Sequence, residues 1–104
     1  MLLLHLLAER ESYGYEVAQR LQAAGFADVL EGTVYPALTR LEREGRLATR
    51  LVPSPSGPAR KYYRLTPAGR DALASARQAW SRHVVGVEAV LARPLPPPSE
   101  KEDH

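Results

Sequence analysis

The residues able to do chemistry in this chain crowd into one third of it. Arg40, Arg43, Arg46, Arg50, Arg60, Lys61, Arg64 and Arg70 stand between positions 40 and 70 against only Glu42 and Glu44, a local net charge of +6. Residues 1–39 set Arg10 and Arg20 against Glu9, Glu11, Glu16, Asp28 and Glu31 and come to −3, while residues 71–104 come to −1. The overall charge of +2 therefore conceals a concentrated basic patch. A patch of this kind is the electrostatic footprint of a polyanion partner, and double-stranded DNA is the partner expected.

Other chemistries find little support. There is no cysteine, which excludes disulfides, thiolate metal sites and thiol nucleophiles. His5, His83 and His104 share neither a helical face nor a metal-ligand spacing. With no nucleophile-plus-base signature, no phosphate-cradling glycine loop and no paired carboxylates, neither an enzyme nor a cofactor is expected.

The elements that must position the basic patch follow from periodicity. At 104 residues there is room for one core. The leucine-rich opening to about Arg10 reads as a first helix; it is short for one, and part of a longer helix is expected to precede it. It has neither a basic leader nor a cleavage site, and no run approaches the ~20 apolar residues of a membrane span, so a cytoplasmic protein without membrane contact is expected. Ser12 is placed as the N-cap of a second helix over Tyr13 to Ala24, closed by Gly25 in a left-handed conformation. Val34, Leu38 and Leu41 make one buried stripe on a third helix, Thr33 to Glu44, which must begin near Gly32 or Thr33 if Pro36 is to fall in its first turn.

Two strands follow, around Leu47–Val52 and Tyr62–Leu65, with Tyr63 facing the core. Between them Pro53 to Pro58 reads as an extended, mobile tip that continues neither strand. Thr66 and Pro67 open a last helix to about Ala92, on which Leu73, Ala76, Trp80, Val84, Val87 and Leu91 form a heptad seam. A seam so long on so small a domain calls for a partner chain. The expected fold class is mainly α with a small β-hairpin: a winged helix-turn-helix domain over 1–66, a C-terminal dimerisation helix over 67–92, and a disordered tail over 93–104.

Helices followed by a basic hairpin form the winged variant of the helix-turn-helix, whose third helix enters the major groove. The buried stripe leaves Thr33, Tyr35, Pro36, Thr39, Arg40 and Arg43 outward, and Arg60, Lys61 and Arg64 on the wing are expected to bind phosphate. Ser12 and Tyr15 are further phosphate candidates, with a plain cap and a core tyrosine as the alternatives. Tyr35 can plug the space between helix and wing or touch DNA, and Arg43 can simply pair with Glu42 or Glu44.

Tyr13-Gly14-Tyr15-Glu16, Gly32-Thr33-Val34-Tyr35-Pro36-Ala37-Leu38, Arg40-Leu41-Glu42-Arg43-Glu44-Gly45 and Arg60-Lys61-Tyr62-Tyr63-Arg64-Leu65-Thr66 resemble the signature blocks of PadR-type transcriptional regulators. The resemblance runs from Leu2 to Leu91, and the first helix of that family extends beyond the position of Leu2. It implies a homodimeric repressor of the short subfamily, with a single C-terminal helix, that leaves a palindromic operator when a small phenolic or aromatic compound binds. Ala79-Trp80-Ser81-Arg82 is similar to the stretch by which multidrug-binding members stack planar ligands between paired tryptophans, which marks Trp80 as a ligand-binding candidate besides its place in the seam. Two other readings stay open at this stage: a protein-interaction module facing an acidic partner, and a drug-binding protein with weak DNA affinity. Steep salt dependence would single out DNA binding.

Overall fold

The computed structural model describes residues 1–29 and 31–98, in the order α1 (Leu2–Glu9), β1 (Ser12–Tyr13), α2 (Gly14–Ala23), α3 (Glu31–Arg43), β2 (Leu47–Ser54), β3 (Gly57–Leu65) and α4 (Pro67–Leu91). The three strands form one antiparallel sheet in the order β1-β3-β2. Leu4 and Leu7 of α1, Val17 and Leu21 of α2, Val34, Leu38 and Leu41 of α3, Leu47, Tyr63 and Leu65 of the sheet and Leu73 of α4 bury one another in a single core. The stripe on α3 and the inward Tyr63 are thus where periodicity puts them.

Local chemistry explains the element ends. Gly25 and Gly45 carry the only positive φ angles among the described residues, +110° and +78°. Each follows a helix whose last carbonyls are taken up by the next turn: Phe26 N–H donates to Leu21 O, and Arg46 N–H to Leu41 O. Both are the left-handed helix stop that glycine adopts without steric cost. Thr66 caps α4, its hydroxyl accepting from Gly69 N–H at 3.0 Å, with Pro67 at the first helical position.

Three expectations need correction. Ser12 does not cap α2; it is a sheet residue paired with Tyr63, and Tyr13 takes the cap position, its N–H donating to Glu16. A two-residue strand is too short to leave a periodic signal. α3 begins at Glu31, so Pro36 falls in its second turn; the carbonyl it cannot serve belongs to exposed Gly32, where water can replace the lost bond. The hairpin runs almost to its end, pairing Ser54 with Gly57 across Pro55 and Ser56. Pro53 and Pro58 are accommodated because the register breaks between Val52 and Ser54, and prolines are tolerated at bulges and on unpaired strand edges.

Beyond Leu73, α4 passes alongside the N-terminus and α1 as far as Trp80 and Ser81 and then leaves the body. Its 25 residues rise about 37 Å and carry the molecule to 68 × 29 × 20 Å. Residues 94–98 follow without regular structure, and the rest of the expected tail lies outside the described residues. No helix among the described residues is long and apolar enough to cross a membrane.

Candidate nucleic-acid interface

Helical phase sorts α3 into three strips. At roughly 100° per residue, the pole opposite the buried Val34–Leu38–Leu41 line is held by Pro36 and Arg43, seven residues apart. Thr39 and Arg40 flank that pole. Thr33, Ala37 and Arg40 turn toward α1, where they line an apolar groove with Leu2, Leu3 and Phe26. Tyr35 and Glu42 turn toward the wing. Thr33, Tyr35, Pro36, Thr39, Arg40 and Arg43 are all exposed.

Arg43 stands at this outer pole, although the sequence left it as a possible partner of Glu42 or Glu44. Its expected acidic neighbour, Glu42, is engaged elsewhere, and no ion pair among the described residues involves Arg43 or Arg40. The seven-residue spacing from Pro36 was the available signal.

The wing divides its basic residues between two faces. β3 pairs Arg60 with Val52, Tyr62 with Arg50 and Arg64 with Ala48, so Arg60, Tyr62 and Arg64 share one face with Arg50. Lys61, paired with Leu51, points to the other face with Tyr63 and Thr49. The expected trio of phosphate ligands is therefore split. The Arg60 guanidinium lies 4.7 Å from the centre of the Tyr13 ring, which tilts against Tyr62 at 5.4 Å and stacks near exposed Tyr15 at 6.5 Å. No ion pair among the described residues takes up Arg60 or Arg64. By contrast Arg50 grips Glu11 through Nε and Nη2, and that bond holds the Glu11 carboxyl below the usual range.

Lys61 Nζ donates to Glu42 Oε1 at 2.9 Å, which lowers the Glu42 pKa and raises that of Lys61. Tyr35 packs its ring against Gly14 at the start of α2, so closely that a methyl group there would collide with it. Tyr13, Tyr35, Arg60 and Lys61 border a cleft of about 380 Å³ between wing and helices. Tyr35 thus fills the space between helix and wing while remaining 42% exposed, so the two roles foreseen for it are compatible.

Ser12 leaves the interface altogether. It is completely buried, and its hydroxyl accepts from Arg20 Nη1 at 3.0 Å. Arg20 also donates to Leu6 O at 2.9 Å, so it fastens α1 and β1 to α2 from within.

On α4 the heptad seam changes character along its length. Leu73 is already buried in its own core and is unavailable to a partner, because the helix still packs on the domain there. Ala76 and Val84 are half-buried, and Trp80, Val87 and Leu91 are exposed, with Leu91 at 77%. Trp80 tilts against His83 at 5.6 Å and borders a hollow with Met1, Leu2, His5 and Arg77. His5 lies 3.5 Å from Glu9, and no group of side chains among the described residues is arranged to hold a metal; His104 is outside them.

Residues 3–75 match the model of the "Transcriptional regulator PadR-like family". The chain is 43% identical over 95 residues to Transcriptional regulator Rv3488 of Mycobacterium tuberculosis, covering 86% of this chain and 85% of that one. It is similar in structure to a PadR-like transcriptional regulator (BC4206) of Bacillus cereus, with a TM-score of 0.79, 35% identity and coverage of 88% and 89%. It also resembles a PadR family regulator of Clostridium difficile R20291, with a TM-score of 0.78, 32% identity and coverage of 88% and 95%.

Proposed function

The chain belongs to the PadR-like family of transcriptional regulators, and on that premise we propose that it binds a palindromic operator as a homodimer and represses until a small aromatic compound releases it. The observation that carries this reading is the exposed strip of Pro36, Thr39, Arg40 and Arg43 on α3, together with a wing whose Arg60 and Arg64 enter no ion pair among the described residues. A helix with hydroxyl and guanidinium groups on its outer face is suited to base edges in the major groove, and arginines on the wing to the flanking phosphates. Thr33, Thr39, Arg40 and Arg43 read sequence; Tyr15, Tyr35, Arg60 and Arg64 supply position and grip. Pro36 packs flat against the groove wall.

The dimer is supported by the far half of α4, where Val84, Val87 and Leu91 continue the apolar seam from Trp80 past the reach of their own domain. Joined there, two copies of α3 would meet successive major grooves about 34–36 Å apart on one side of the duplex. The hollow beside Trp80 suits a planar aromatic ligand. A ligand placed between the two copies would act by favouring a spacing of the α3 helices that does not fit DNA.

Selection of bound duplexes from a random-sequence pool tests the function. The expected product is an inverted repeat with half-sites about 10 bp apart centre to centre. A pool that shows no enrichment after repeated rounds would contradict operator binding.

A further inference from the structure

Beyond the core that they share, α3 and the wing are bridged by one acidic side chain. Glu42 Oε2 accepts from the Thr49 hydroxyl of β2 at 2.9 Å, and Oε1 accepts from the Lys61 ammonium of β3 at 2.9 Å. Among the described residues, no other side-chain hydrogen bond or ion pair links α3 to the hairpin. The Lys61 ammonium also stands 5.5 Å from the centre of the buried Tyr63 ring, so its stem is steered from two sides. Strand alternation meanwhile sends Arg60 and Arg64 to the opposite face.

We propose that Glu42 is a positioning residue: it fixes the angle of the wing against α3, and by pairing with Lys61 it withholds that lysine from the DNA phosphates. This rests on the DNA-binding reading above and deepens it. An ion pair as exposed as this one contributes little to stability. Its consequence is geometric, because one carboxylate ties three elements whose relative placement decides whether α3 and wing reach the duplex together. It is also a matter of charge count. A wing with three basic residues in one sequence block grips with two of them.

The experiment measures affinity against salt concentration for a duplex of scrambled sequence, using fluorescence anisotropy with the wild type, Lys61→Met, Glu42→Gln and the double variant. Circular dichroism establishes that each is folded. Lys61→Met is expected to keep the wild-type salt slope, whereas Glu42→Gln steepens it by ~0.9 in log–log terms for each lysine released. The double variant returns to the wild-type slope. The preference of Glu42→Gln for a pool-selected duplex over the scrambled one is expected to fall, since the wing is no longer held at one angle. A shallower slope for Lys61→Met, or an unchanged slope for a folded Glu42→Gln, overturns the inference while leaving DNA binding in place. A wild type without salt-dependent binding removes both readings, so the two failures are told apart.

Discussion

On the proposed reading Arg43 and Arg64 meet DNA in different ways, so their variants should part accordingly. Arg43 stands at the outer pole of α3, so Arg43→Ala should cost about 1–3 kcal/mol on a pool-selected duplex and much less on a scrambled one, as titrations at fixed salt would show. Arg64 lies on the outward wing face, so Arg64→Met should weaken both duplexes alike and reduce the salt slope by ~0.9. Equal loss on both duplexes for Arg43→Ala would reduce that residue to grip. Ser12 provides the contrast. Removing its hydroxyl leaves a part-buried guanidinium short of a partner, so Ser12→Ala should lower unfolding stability by about 1–3 kcal/mol in urea titration and leave the salt slope unchanged. The sequence showed Ser12 as a polar residue ahead of a helix, which is equally the signature of a cap and of a buried hydroxyl. Only the pairing with Tyr63, fifty-one positions away, separates the two.

Between elements, the acidic side chains Glu11 and Glu42 join parts of the fold that adjacency in sequence does not. Glu11 lies before β1 and holds Arg50 of β2; Glu42 lies on α3 and holds Lys61 of β3. Both carboxyls are shifted below their ordinary value of 4.5, Glu11 mainly by Arg50 and Glu42 mainly by Lys61 and Thr49. Their folded pKa values are depressed, so the unfolded chain binds protons first as pH falls. The stability they contribute is therefore full above 4.5 and is lost as pH drops through the folded values. Thermal unfolding should show a midpoint insensitive to these groups from neutral pH down to about 5.5 and declining below 4.5, with a weaker decline in a Glu11→Gln, Glu42→Gln double variant. An undiminished decline in that variant would assign acid sensitivity to other carboxylates.

The elements themselves were largely legible, because α3 and α4 carry long apolar periods and α4 opens with Thr66-Pro67. What escaped were features set by tertiary partners. β1 exists only because β3 offers an edge, and Pro53 and Pro58, two of the three prolines of the hairpin, enter strands beside a register break. The basic block at Arg60, Lys61 and Arg64 was visible as charge, but the strand pleat and Glu42 decide which of it faces outward.

At the scale of the molecule, the domain is complete in its core and incomplete in its surface. α4 projects beyond the body with Val87 and Leu91 exposed in line with Trp80 at the body's edge, an apolar line that a helix does not ordinarily present to water. Val87→Asp should leave the helix content of the chain intact, because the side chain packs on nothing in its own core, and should shift sedimentation from the proposed dimer to a monomer. A Val87→Asp protein still sedimenting as a dimer would place the contact elsewhere. The same variant should bind a pool-selected inverted repeat far less tightly than the wild type, since two α3 helices would no longer arrive on one frame.

On the proposed arrangement, two copies of the α3–wing surface, spaced by α4, hold one face of a duplex. Hydroxyl-radical footprinting of the wild type on its pool-selected duplex reads this arrangement out. The expected pattern is two protected patches on one side of the helix, centred about 10 bp apart and related by the symmetry of the inverted repeat. A single protected patch, or uniform protection around the duplex, would contradict it.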